Sequence, residues 1–210
     1  MNQINKTILC GLLLCLFGAA GKGLGSENNK KPNYLFKGKI SRTVLENYLA
    51  RSATVASLLH LTLDDDLRMM QNTGVKYAGR VIWMWGGESK IDSLIDKGTP
   101  FVKRIHQMDP DIILQGAIFE IITTDVNNVP IPAAVFTEFN LTPENRNFNY
   151  KKMIYPFGHR VNHWNKDASV PDMSRPETKM WFFYVAKRWI DMGLEAIHFG
   201  QVEIMDDRDR

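Results

Sequence analysis

From Asp64 onward the chain repeats one unit: an amphipathic stretch, a Gly or Pro break, then a short apolar run that ends in polar residues. The first stretch starts with Asp64, Asp65 and Asp66, whose carboxylates suit a helix N-terminus. It continues through Leu67, Met69 and Met70 to a stop at Asn72 to Gly74. A strand is predicted from Lys76 to Trp85. The next helix runs from Ile91 to Met108, with Ile91, Leu94, Ile95, Val102 and Ile105 at helical spacing and an interruption near Gly98 and Pro100. A strand from Asp111 to Ile122 follows, apolar enough to be buried on both faces.

In the third unit, Ser174 and Glu177 have the spacing of a capping box and Pro176 falls in the first turn. Met180, Trp181, Val185, Trp189 and Ile190 form its apolar face, and Gly193 ends it before a strand from Leu194 to Met205. The junctions Asn72-Thr73-Gly74-Val75 and Asp191-Met192-Gly193-Leu194 share a design.

Helices alternating with buried strands predict a parallel α/β sheet. No G-x-G-x-x-G or P-loop follows an early strand, which argues against an open nucleotide-binding sheet. The expected fold is a (β/α)8 TIM-barrel type, with a first strand within residues 50–63. A complete barrel takes about 250 residues, so only its N-terminal half to two-thirds is expected here.

The amino terminus has a different pattern. Lys6, then an apolar run through Leu12, Leu13, Leu14, Leu16 and Phe17, then Gly18, Ala19 and Ala20, read as a signal peptide over residues 1–25. Lys22 cuts the run short of the roughly 20 residues a spanning helix needs, so no stable membrane span is expected. Residues 26–40 are a flexible leader, and residues 41–210 the partial barrel. Both cysteines, Cys10 and Cys15, fall inside the signal, so the exported domain depends on packing alone; a lipid on Cys15 is the weaker alternative. The 210 residues carry 44% hydrophobic side chains and a net charge of +3 with interspersed signs, which gives no footprint for nucleic acid.

Candidate chemistry gathers where strands end, the face on which barrel loops collect. Glu88, Glu120 and Glu203 each follow an apolar strand. Strand alternation turns His198 inward if Ile197 and Phe199 meet the helices, and turns Glu120 inward if Phe119 and Ile121 do so. Trp83 and Trp85 are read as core before ligand platform. Trp164 is the better ligand candidate, because it lies in a loop over residues 123–175 that is far longer than usual. That loop is rich in Phe136, Phe139, Phe148, Tyr150, Tyr155 and Phe157, which predicts packing. His159, His163 and Asp167 recur at four-residue spacing, but Pro156 and Gly158 oppose a helix there, and no metal or other cofactor is expected.

Tyr48-Leu49-Ala50-Arg51, the stretch from Gly79 to Glu88, Gln115 to Glu120 and His198 to Glu203 together resemble secreted barrel proteins of gut-type Bacteroidetes related to glycoside hydrolases. The resemblance implies a periplasmic or extracellular protein acting on an oligosaccharide or polysaccharide. In the clan A barrels an acid/base Glu ends the fourth strand, the place of Glu203, although Val202 stands where that family has Asn. The implied reaction is glycoside hydrolysis with strand-end carboxylates, Glu203 and Glu120, as general acid and nucleophile or base. Substrate contacts are expected from Glu88, Trp85, Trp164, His159, His163, His198, Gln201 and Arg51. The alternative is a non-catalytic oligosaccharide-binding protein on the same fold.

Overall fold

The computed structural model describes residues 40–55, 57, 59 and 63–206. The predicted signal peptide and nearly all of the predicted leader lie outside the described residues. No helix among the described residues is long and apolar enough to cross a membrane.

Four strands, β1 (Ser52–Thr54), β2 (Tyr77–Ile82), β3 (Ile113–Ile118) and β6 (Ala196–Phe199), form a parallel sheet in the order β1-β2-β3-β6. Between them run α2 (Leu63–Thr73), α3 (Ile91–Met108) and α5 (Pro176–Met192), while α1 (Arg42–Ala50) precedes β1. The alternation of helix and parallel strand is as the hydrophobic pattern predicts, and β1 falls inside the stretch expected to hold a first strand.

One face of the sheet is covered by helices. Gly98, inside α3, lies over Ile82, where an added Cβ would come within 2.4 Å of Ile82 Cδ1. Gly116 lies under α5, where a Cβ would sit 2.8 Å from Trp189 Cδ1 and from Leu194 Cδ1. The Trp189 indole donates to the Ala117 carbonyl at 3.3 Å, and Phe199 stacks on Phe182 of α5 at 6.0 Å. Asp64 of α2 is bridged to Arg104 of α3 at 2.7 Å. The opposite face carries Gln115 and Ala117 of β3, which pair in register with Ala196 and His198 of β6.

The two Gly junctions are the same structure. Gly74 (φ 63°) donates to the Gln71 carbonyl and Val75 to Met70; Gly193 (φ 109°) donates to Ile190 and Leu194 to Trp189. Each is a Schellman motif, in which glycine takes the left-handed conformation and the next residue packs back on the last turn. Val75, Met70, Leu194 and Trp189 are all buried, so the stop signal also starts the next strand's core.

Several expectations are corrected. Helix α3 is continuous through Gly98 and Pro100. Pro100 sits on the exposed side, where the carbonyl left without a partner belongs to the exposed Asp96, and the Thr99 hydroxyl donates to the Ile95 carbonyl. Ser174 does not cap α5: the cap residue is Arg175, Ser174 bonds to Asp172, and the Glu177 carboxylate is held by Arg146. Ile190 is 56% exposed, while its neighbours on the predicted face are buried. The predicted strand 111–122 ends at Ile118, and the apolar run continues as β4 (Ile122–Thr123), antiparallel to β5 (Ala168–Ser169). The predicted strand 194–205 ends at Phe199 and turns into the short helix α6 (Val202–Met205).

The long segment 123–175 packs, as its aromatic content predicts. It contains α4 (Ala133–Glu138). Phe148 meets Trp181 of α5 edge to face at 5.2 Å, and Arg146 grips Glu177 with two bonds of 2.6 and 2.9 Å. The Tyr150 hydroxyl reaches the buried Ser169 hydroxyl at 2.5 Å. Phe157 stands fully in solvent, unlike the other aromatics of the segment.

Candidate carboxyl-edge site

The three longer strands all point their carboxyl ends to one edge, and the chain leaving each supplies a different group. Beyond β2 come Trp83 and Trp85, after which Gly86 and Gly87, both with φ near 70°, reverse the chain. The first of these turns needs glycine for space as well, since a Cβ would lie 2.8 Å from Thr123 Cγ2. Beyond β3 come Phe119 and Glu120, and beyond β6 come Gly200 and Gln201. Trp164 arrives from the long segment and is anchored there, its indole N–H donating to the Glu120 carbonyl at 2.9 Å.

These groups make a continuous run of ring contacts. Phe119 takes Trp83 and Trp85 edge-on at 5.6 Å each. Trp85 meets Trp164 at 5.1 Å, and Trp164 meets His163 at 4.6 Å. On the other side, Phe119 meets His198 at 6.0 Å and lies 5.6 Å beneath the Arg80 guanidinium. Trp85 is 43% exposed, Trp164 is half-buried and His163 is exposed. Trp85 is thus a surface ring at the strand end, not a core ring inside the strand.

The strand-end carboxylates divide. Glu120 is 3% exposed, and its oxygens accept from the Gln201 backbone N–H at 2.9 Å and the Gln201 side-chain amide at 2.8 Å. Glu88 is 2% exposed and accepts from the Thr123 backbone N–H at 2.8 Å and the Thr123 hydroxyl at 2.5 Å. Burial raises the Glu88 carboxyl above its ordinary value, with Asp125 adding to the rise, against the lowering by its Thr123 bonds. Asp125 itself is lowered, chiefly by the Ser89 backbone N–H. Glu203 is exposed on α6.

His198 is pushed below its ordinary value, first by burial and then by Arg80, with Glu120 opposing. Its Nε2 lies 3.4 Å from Arg80 Nη2. The alternation reading is right for β6: Phe199 meets the helices and His198 turns to the opposite face. It is inverted for β3. Gly116 points at α5, so Phe119, three residues on, faces the ring cluster. Glu120 is buried through its grip on Gln201 instead.

Other predicted residues lie elsewhere. His159 packs edge-on against Tyr155 at 5.3 Å, and the Tyr155 hydroxyl donates to the Ile204 carbonyl at 2.9 Å. Arg51 is at the opposite end of the sheet, where its carbonyl accepts from Lys76 and Tyr77. His159, His163 and Asp167 are not on a helix, and among the described residues no group of three or more His, Cys, Asp or Glu could hold a metal ion.

Two members of the site were missed as ligand candidates. Phe119 is one, since the alternation argument uses it only to set the direction of Glu120. Arg80 is the other, and a lone Arg within the apolar stretch 77–85 is a signal that something polar faces it. No family model, no curated protein and no solved structure matches this chain.

Proposed function

We propose that this protein binds oligosaccharide on the ring platform at the carboxyl edge of its sheet. The carrying observation is the run of contacts from Phe119 through Trp85 to Trp164, with Trp85 43% exposed. Flat apolar ring faces flanked by hydrogen-bonding groups suit sugar rings, whose C–H faces are apolar and whose rims are hydroxylic. His163 and Gln201, both exposed beside the platform, supply such groups.

The fold belongs to this reading as a (β/α) barrel of the kind related to glycoside hydrolases. Parallel strands in sequential order with helices on one face support it, and barrels carry their sites at the carboxyl ends of strands. Export through residues 1–25 is part of the same proposal. Amino-terminal sequencing of protein recovered from the periplasm or medium tests it.

Binding is favoured over cleavage because Glu120 and Glu88 are both buried and committed to bonds that hold loops together. Hydrolysis stands as the second reading on one observation, the exposed carboxylate of Glu203 just beyond β6, to which the resemblance assigns the general-acid role.

Calorimetric titration against a panel of oligosaccharides is the test. Trp85→Ala and Trp164→Ala should each weaken binding about tenfold or more. Binding unchanged in both variants would end the proposal. Reducing-sugar release that disappears in Glu203→Gln would move the conclusion to hydrolysis.

A further inference from the structure

One end of the ring platform carries the positive charge of Arg80, which is bridged to no carboxylate among the described residues. Arg80 lies within β2 with φ 56°, a left-handed conformation uncommon for a side-chain-bearing residue. It belongs to an irregularity: Ala78 pairs with Leu114 and Ile82 with Gly116, so β2 spends four residues where β3 spends two. Bulges of this kind occur beside functional sites, where they re-aim a side chain. Here the bulge presents an exposed guanidinium on the face away from the helices, over Phe119.

Among the described residues, that guanidinium meets Phe119 and His198, and neither neutralises it. Glu120, the carboxylate that acts on His198, is buried with its oxygens turned to Gln201. Burial and then Arg80 push His198 below its ordinary value. Because a guanidinium can only donate, the His198 Nε2 facing it must accept. With Nε2 accepting, the imidazole proton is on Nδ1.

We propose that Arg80 with His198 is an anion-recognising element, so that the sugar bound on the platform bears a carboxylate or a sulfate. The proposal rests on the platform reading and narrows its substrate class. A guanidinium's planar fork matches either oxyanion with paired hydrogen bonds. Phe119, shared between Arg80 and Trp85, joins the charged end to the stacking surface.

The experiment titrates the full chain with three oligosaccharides of equal length: neutral, uronic-acid and sulfated. The wild-type protein, Arg80→Asn and Trp85→Ala are compared at low and high salt. Asn tolerates the left-handed conformation, so Arg80→Asn keeps the bulge with least strain. The expected result is acidic-sugar binding that weakens with salt and falls about tenfold or more in Arg80→Asn. Which acidic sugar binds more tightly separates carboxylate from sulfate.

Equal affinity for neutral and acidic sugars, with Trp85→Ala weakening both and Arg80→Asn weakening neither, would overturn the proposal and leave the platform standing. No binding of any sugar would remove both. Should Arg80→Asn fail to fold, the salt response and the acidic-over-neutral preference of the wild-type protein decide alone.

Discussion

Gly200 lies against Glu120 so closely that a Cβ added to it would sit 1.6 Å from the carboxylate oxygen Oε2. The contact locks β6 to β3: the glycine clears space for the carboxylate, and the carboxylate captures the Gln201 N–H that follows. Gly200→Ala must therefore displace Glu120 from a buried position. The expected loss is about 2 kcal/mol or more, since overpacking and broken charged bonds add. Urea denaturation measures it. Glu120→Ala in the Gly200→Ala background should cost less than the sum of the two single changes.

Gly98 sets helix propensity against packing. On an isolated helix Gly→Ala would gain about 0.8 to 1 kcal/mol. Here the methyl would meet Ile82 Cδ1 at 2.4 Å and Met192 Sδ at 3.2 Å. Gly98→Ala should destabilise by about 1 to 2 kcal/mol, and Ile82→Val in the same chain should recover much of that loss. Thermal or chemical unfolding of the pair checks it.

Arg146 and Glu177 fasten the long segment to α5. The Glu177 side chain is 6% exposed and also accepts from the Asn149 backbone N–H. Arg146→Ala would leave that carboxylate buried without its main partner, at a cost of about 3 kcal/mol. Limited proteolysis should cut residues 123–175 sooner in the variant, while the helix content of α3 and α5 persists by circular dichroism.

The two shifted groups of the edge act in opposite pH directions. His198 is lowered from 6.5, so the unfolded chain binds its proton more readily. Its contribution is present above pH 6.5 and is lost as pH falls below it. Glu88 is raised from 4.5, so its contribution is complete below pH 4.5 and is lost as pH rises through the raised value. His198→Gln should flatten the fall in stability below pH 6.5. Glu88→Gln should keep its Thr123 contacts and lose little or nothing at neutral pH. Unfolding midpoints from pH 4 to pH 8 read both.

Local periods and punctuation are legible along the chain. Three helices, the parallel strands between them and the paired glycine stops at Gly74 and Gly193 follow from side-chain spacing and from a backbone conformation that glycine adopts without steric cost. The candidate edge was legible too, because residues that follow parallel strands must collect at one end. Tertiary structure decided what each group does there. Glu120 looks like Glu203 in sequence, yet Gln201, 81 positions away, turns Glu120 into a fastener. The β2 bulge overrode simple alternation and brought Arg80 beside His198, 118 residues apart. Period and propensity are carried by neighbours along the chain, whereas a buried carboxylate's partner and a strand's register depend on which distant segment arrives, and only packing fixes that.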